Sequence, residues 1–302
     1  MSATSPAERS FGGTCRAVTK ASRSSFTYAF MVLPKPQREA LYAIYAFCRI
    51  SDDLVDEAAS PDVAGSRSPA ATLPAERLGA WRVELDACFR GAATHPVTRR
   101  LAEVLRTFPI PRAYFESLLN GMEMDLVKTR YASFAELEQY CYRVAGVVGL
   151  MCIEIFGYTR SETRIYAERL GTAFQLTNIL RDLGQDGEAG RIYLPQEDLA
   201  RFGCTEADIL GRRLTPAFRE LMNFEVGRAR TFYAAALEAL PAADRNSMLP
   251  AEIMRVIYHR LLTQIEARAH DVYSRRIRLS DTRRMLLALG CWARHRLHVP
   301  GC

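Results

Sequence analysis

Two clusters of side chains in this sequence could do chemistry. The first is Arg49-Ile-Ser-Asp52-Asp53-Leu-Val-Asp56-Glu57. Asp52 and Asp56 stand four apart, so on a helix they share one face. Leu41, Ile44, Tyr45 and Cys48 form an apolar stripe at i, i+3, i+4 and i+7, and Asp52 continues that stripe by one turn. A carboxylate on a buried face is costly unless something compensates it, and two close carboxylates repel unless a cation intervenes. Mg²⁺ seeks hard oxygen ligands and is usually held by one or two carboxylates together with substrate phosphates. Arg49, one turn earlier, suits bidentate contact with a phosphate.

The second cluster is Gly171-Thr-Ala-Phe-Gln175-Leu-Thr-Asn178-Ile-Leu-Arg181-Asp182-Leu-Gly-Gln-Asp186. At about 100° per residue, Gly171, Gln175, Asn178, Asp182 and Asp186 fall within about 80° of one another. Arg181 falls outside that strip. Most of the remaining surface is Ala173, Phe174, Leu176, Ile179, Leu180 and Leu183. A helix apolar nearly all round is a buried helix. Its polar strip must then face an internal wet cavity, a bound ion, or a buried hydrogen-bonded network. Together the clusters predict two carboxylate walls facing each other, with Mg²⁺ between them and a diphosphate. The segment Gly184 to Pro195 reads either as a loop closing over that diphosphate or as an ordinary turn between helices.

The elements that must position these walls are helices. Helical periodicity dominates, and alternating β-branched runs are nearly absent. Pro36 suits a first helical turn, and that helix should run to about Glu57. Ser133 with Glu136 forms a capping-box pattern before a helix through Gly157. A third helix should span about Ser161 to Leu183 and break at Gly184, Gly187 and Gly190. Further helices are expected at Leu78–Gly91, Arg112–Lys128, Thr215–Leu240, Ala251–Arg275 and Ser280–Arg294. Ala58 to Ala75, rich in Ala, Ser and Pro, reads as a surface connection. The expected organisation is one domain over 15–295, with tails at 1–14 and 296–302.

The composition fits this reading. With 49% hydrophobic and 25% charged residues among 302, the chain can bury a large core. A net charge of +6 suits an anionic ligand or membrane surface, and the basic residues form no run that would argue for nucleic acid. The eight cysteines form no Cys-x-x-Cys pair and do not sit at zinc-ligand spacing with the five histidines. Reduced, mostly buried thiols in a cytoplasmic protein are expected. Met1 to Gly13 lacks a signal-peptide apolar core, and no run reaches the ~18 apolar residues of a membrane span. The apolar run Met285–Trp292 is short and followed by Arg294 and Arg296, so membrane contact would be peripheral, at the inner face.

These residues resemble a known family. Ser22-Arg23-Ser24-Ser25-Phe-Thr-Tyr-Ala-Phe30 and Tyr42-Ala-Ile-Tyr45-Ala-Phe-Cys-Arg49-Ile-Ser-Asp52-Asp53-Leu-Val-Asp56 look like the N-terminal third of squalene/phytoene synthases. Tyr140-Cys-Tyr-Arg-Val-Ala-Gly-Val-Val-Gly149, Gln175-Leu-Thr-Asn178-Ile-Leu-Arg181-Asp182 and Arg191-Ile-Tyr-Leu-Pro195 match the family's central motifs. The resemblance spans about Ser22 to Arg276. It implies a single-domain all-α helical bundle of the terpenoid-synthase type around a deep apolar cavity. It also implies head-to-head joining of two prenyl diphosphates.

By the same resemblance, Asp52, Asp56, Asn178, Asp182 and Asp186 hold roughly two or three Mg²⁺ ions. Ser22, Arg23, Ser24, Ser25, Tyr45, Arg49, Gln175, Arg181 and Tyr258 contact substrate, and Tyr140 sits near the reacting carbons. Arg143 to Gly157 and Ile253 to Tyr258 look most like bacterial presqualene diphosphate synthases of hopanoid pathways, implying farnesyl diphosphate as substrate and no need for NADPH. Phytoene synthase, acting on geranylgeranyl diphosphate, is the nearest alternative; a complete NADPH-dependent squalene synthase and a non-enzymatic helical assembly factor stand further off. Downstream pathway enzymes would be the natural partners. Gly121 to Lys128 resembles a further motif, whose acids Glu123 and Asp125 either line the cavity or end a helix at the surface. Ala145, Gly146 and Gly149 leave room for a prenyl tail or allow close helix packing. Arg275 and Arg276 either bind phosphate or are solvated. Phe26, Tyr42 and Tyr45 are expected as aromatic walls, and the base for the proton loss is a tyrosine or the released diphosphate.

Overall fold

The computed structural model describes residues 13–19, 25–56 and 73–297. Ser22, Arg23 and Ser24, most of the Ala58–Ala75 connection and both extreme tails lie outside the described residues. The described chain is helical: α1 (13–19), α2 (Phe26–Phe30), α3 (Lys35–Asp56), α4 (Pro74–Phe89), α5 (Pro96–Thr107), α6 (Arg112–Val127), α7 (Phe134–Cys141), α8 (Val147–Phe156), α9 (Glu162–Glu188), α10 (Gln196–Phe202), α11 (Glu206–Leu210), α12 (Pro216–Ala239), α13 (Leu249–Ala267) and α14 (Asp281–Arg296). Among the described residues the only β pairing is one isolated parallel bridge, Arg130 with Ile192.

α9 is the central element. It packs most extensively against α12 and also touches α7, α8, α11 and α13. α3 packs against α4, α5, α6 and α8 on the other side. Between α7 and α8 the chain makes one π-helical turn, Tyr142–Gly146. Such turns shift the side-chain phase of a helix and recur at functional sites. Phe134–Phe156 is 23 residues long, enough by length and composition to cross a membrane, but Leu137, Leu150, Met151 and Ile153 are buried in the core.

Glycines decide how closely α9 meets its neighbour. A Cβ on Gly171 would lie 2.5 Å from the Ala145 carbonyl oxygen, and one on Gly149 would lie 2.6 Å from that of Ala167. Of the two roles open to this small-residue stretch, close helix packing is the one Gly149 fills, although Ala145 and Gly149 also line the cavity described below.

Several expectations change. α9 runs on through Gly184 and Gly187 to Glu188, and only Gly190, at φ +74°, turns the chain. α13 ends at Ala267, well before Arg275, where Ala269 and His270 adopt positive φ. α5 was not anticipated, although Pro96 opens it and Val97, Leu101 and Val104 give it a buried face. Ser133 caps α7 by accepting from the Glu136 amide at 3.4 Å, but the Glu136 carboxylate turns to the Ala132 amide at 2.9 Å, so the box is not reciprocal.

Ser161 makes no capping bond at the start of α9. Asp244, from a 3₁₀ turn at Ala242–Asp244, does that work from a distant part of the chain. Its carboxylate accepts from the Thr159 amide at 2.8 Å, the Thr159 hydroxyl at 2.7 Å, the Arg160 amide at 3.0 Å and the Thr163 hydroxyl at 2.6 Å. Burial opposes its charge, but these donors outweigh burial and hold its pKa at about 2. A carboxylate depressed in the folded state stabilises fully above its unfolded pKa and loses that contribution as pH falls through the folded value. Asp244→Ala should therefore cost about 2 kcal/mol near neutral pH. That corresponds to a melting temperature lower by roughly 4 °C. Melts followed by circular dichroism should show the gap between variant and wild type closing as pH falls from about 4 toward 2.

Candidate active site

α3, α6, α7, α9, α13 and the segment before α14 enclose a cavity of about 1990 Å³. That is about twice the upper end of ordinary small-molecule pockets, room enough for two large ligands. Its polar end carries Arg49, Asp52, Gln175, Asn178, Arg181, Asp182 and Asp186, and Ser25, Tyr45, Tyr140 and Tyr258 line it as well. Its interior is apolar, with Leu41, Ile44, Val148, Phe156, Leu170 and Met254 among its walls. The structure thus brings together the site residues expected from sequence that fall within the described side chains. Asp56 ends α3, but its side chain lies outside the described residues.

The two walls differ in exposure. Asp52 is 43% exposed, whereas Asp182 is 16% exposed. On α3, Arg49 donates to Asp52 at 3.1 Å and pairs with Asp53, a cavity residue not singled out from sequence. On α9, Arg181 donates through Nε to Asp182 at 2.9 Å, and Arg276 reaches the same carboxylate at 3.2 Å. Arg181 thus joins the site although its Cα sits off the polar strip: its long side chain curls back along the helix. Of the two readings of Arg276, contact with the site holds; Arg275 and Arg191 line the same cavity.

Burial, reinforced by the charge of Asp182, pushes the Asp186 carboxyl up to about 7. The Asn178 amide nitrogen donates to Gln175 Oε1 at 3.4 Å, while its Oδ1 is buried without a hydrogen-bond partner. An orphaned amide oxygen beside crowded carboxylates is the donor set a hard divalent cation completes. Among the described residues, no three His, Cys, Asp or Glu converge tightly enough to hold a metal unaided. None of the seven described cysteines forms a disulfide.

Tyr140, at the end of α7, donates to Asp125 Oδ2 at 2.8 Å. Tyr193 donates to Asp125 Oδ1 at 2.8 Å, and the Tyr140 and Tyr193 rings stack with centroids 5.2 Å apart. The Gly121–Lys128 motif therefore splits: Asp125 lines the cavity, while Glu123 pairs with Arg82 at 2.9 Å and is 61% exposed. Tyr193 comes from the segment after α9. The Ile192 amide donates to the Thr129 carbonyl at 3.0 Å and the Gln196 amide to that of Tyr131 at 2.9 Å. Ile192 and Leu194 are buried, so this segment is pinned against residues 129–132. Phe26 and Tyr45 form an aromatic wall with centroids 5.5 Å apart. Tyr42 does not line the cavity; it packs edge-on against Phe30 at 5.7 Å.

Comparison with known proteins agrees with this geometry. A family model described as squalene/phytoene synthase matches residues 19–283. Phytoene synthase of Arthrospira platensis is 37% identical over 285 residues, covering 90% of this chain and 89% of the relative. The 15-cis-phytoene synthase of Synechocystis sp. is 37% identical over 292 residues, covering 93% and 84%. The crystal structure of a dehydrosqualene synthase in complex with ligand superposes with a TM-score of 0.84 at 28% identity, covering 96% of this chain and 98% of that one. That of squalene synthase HpnC from Alicyclobacillus acidocaldarius gives 0.77 at 28% identity, covering 89% and 98%. A fold without strands in its described residues, a cavity with one polar end, and a family match over most of the chain lead to one assignment: the chain belongs to the squalene/phytoene synthase family, enzymes of the prenyltransferase type.

Proposed function

We propose that this enzyme joins two farnesyl diphosphates head to head, releasing diphosphate and forming the cyclopropyl ester presqualene diphosphate. The observation that carries this reading is the cavity itself: one basic and acidic end on α3 and α9, opening into an apolar interior large enough for two prenyl chains. Support for the farnesyl chain comes from the motif resemblance at Arg143–Gly157 and Ile253–Tyr258 and from the likeness to dehydrosqualene and squalene synthases. A second reading, condensation of two geranylgeranyl diphosphates to a phytoene precursor, is favoured by the relatives that are phytoene synthases.

Asp52, Asn178, Asp182 and Asp186, with Asp56, would hold Mg²⁺. When bound, the ion supplies Lewis-acid stabilisation of the leaving diphosphate. Arg49, Arg181, Arg191 and Arg276 present guanidinium forks whose planar geometry matches phosphate oxygens. The apolar interior keeps water from the allylic cation. Phe26 and Tyr45 offer it aromatic faces, which attract a cation. The cation is attacked by the double bond of the second substrate, and the new cation then loses a proton as the cyclopropane bond closes. Tyr140 lines the cavity and donates its own proton to Asp125, so its oxygen is left as an acceptor. The departing proton passes to the Tyr140 oxygen while the phenolic proton moves to the Asp125 carboxylate, so both groups stay neutral or singly charged throughout.

Three outcomes follow. Asp52→Asn and Asp182→Asn should each lower turnover by at least ~10²-fold at saturating Mg²⁺ while the protein stays folded; near-normal turnover in either would sink the two-wall reading. Tyr140→Phe keeps the ring stack but removes the hydroxyl, and it should reduce kcat by about 10²-fold with little change in KM; an unchanged kcat would remove Tyr140 from proton transfer and leave the released diphosphate as base. Incubated with Mg²⁺ and farnesyl diphosphate, the enzyme should release presqualene diphosphate and stop, with or without NADPH. The reason is that reductive rearrangement needs a hydride donor held roughly 3–3.5 Å from a second cation. Product analysis decides: efficient NADPH-dependent squalene formation would make it a complete squalene synthase. A strong preference for geranylgeranyl diphosphate in direct competition would establish the second reading.

A further inference from the structure

The outer face of α14 is apolar where a surface helix should be polar. Leu286, Leu289 and Leu297, at its C-cap, are 63%, 53% and 73% exposed, and Trp292 is 40% exposed. At about 100° per residue, Leu286, Leu289, Gly290, Ala293 and Leu297 share a stripe roughly 100° wide. The opposite face, with Ala288 and Cys291 buried, packs against α13. Arginines border the stripe: Arg283 and Arg294 are exposed on one side. On the other, the Arg296 guanidinium lies over the Trp292 ring at 5.5 Å. After Asp281 the helix carries no acidic residue.

An apolar stripe with cationic margins and a border tryptophan complements one surface in particular. Acyl chains accept the leucines, tryptophan settles at the headgroup level, and anionic headgroups meet the arginines. A second protein surface would have to supply acidic groups on both sides of an apolar ridge. The helix is also continuous with the cavity rim: Ser280, Asp281 and Arg284 from its N-terminal end line the cavity, as do Arg275 and Arg278 just before it. A bilayer on this face would lie beside the opening of a cavity whose interior is apolar. We propose that α14 is an interfacial helix that docks the enzyme flat on an anionic lipid bilayer. This inference does not depend on which prenyl chain the enzyme uses.

The test uses the full chain and vesicles of phosphatidylcholine, alone or with phosphatidylglycerol. Wild type should float with the anionic vesicles, release with added salt, and show a blue-shifted Trp292 emission. The other tryptophan, Trp81, is 6% exposed and should not respond. The double variant Leu286→Glu, Leu289→Glu should bind at least about tenfold more weakly, since each glutamate puts a charge among acyl chains. Arg294→Gln and Arg296→Gln should each weaken binding to anionic vesicles about fivefold. All variants should keep wild-type melting temperatures and wild-type turnover of substrate dispersed in detergent. Failure of wild type to bind anionic vesicles, or equal binding by the double glutamate variant, would overturn the proposal. So would a wild-type dimer that the glutamates convert to monomer, since the face would then be covered by a second copy.

Discussion

A buried helix with one polar strip imposes the constraint around which this molecule is arranged. α9 is apolar over most of its circumference, so α8, α12 and α13 pack closely on it. Gln175, Asn178, Asp182 and Asp186 cannot be packed the same way, because carboxylates and amides lose too much on leaving water unpaired. The neighbouring helices therefore stand back from the strip, and the gap between α9 and α3 becomes the polar end of the cavity. Close approach elsewhere compensates for that separation. Gly171 and Gly149 let α9 meet the π turn and α8 at backbone distance, closing the wall of the cavity beside the strip.

Electrostatics divides the site into an open wall and a closed one. On α3, a half-exposed Asp52 and Asp53 share Arg49, and solvent screens them. On α9, Asp182 is half-buried between Arg181 and Arg276, and Asp186 beside it is pushed toward neutrality by burial and by the Asp182 charge. A buried wall responds to the arrival of cations more strongly than an exposed one, because the low dielectric magnifies every charge. The arginines that now neutralise these carboxylates have the geometry to receive phosphate. The same residues can thus serve the folded enzyme by pairing and a diphosphate ligand by exchange of partners.

Much of this was legible in the sequence, for physical reasons. α3 and α9 announce themselves by periodicity, and their polar residues stand out as departures from it. What stayed hidden depends on contacts distant in the chain or on side-chain reach. Asp244 caps α9 from more than 80 positions away, and no local pattern marks it. Arg181 was displaced from the strip by a helical wheel that places Cα atoms, whereas its guanidinium folds back over Asp182. Gly184 and Gly187 were read as breakers, but packing outweighs the propensity cost of about 1 kcal/mol each. α5 escaped because its arginine-rich surface obscured the buried Val97, Leu101 and Val104.

The Asp125 cluster shows why the least legible part of the site matters to the chemistry. Glu123 and Asp125 are two apart on α6, so they point to different sides, and nothing local says which faces inward. The answer lies in two other segments. Tyr140 reaches Asp125 from the turn before the π-helical phase shift, and Tyr193 reaches it from the strap pinned along residues 129–132. Both hydroxyls donate to the one carboxylate, and the stacked rings fix their directions. A tyrosine whose proton is already committed to a carboxylate can act toward a further group only as an acceptor. In the reaction proposed above, that arrangement would count for more than basicity, because a C–H bond next to a carbocation is already strongly acidic and needs chiefly an acceptor held in place.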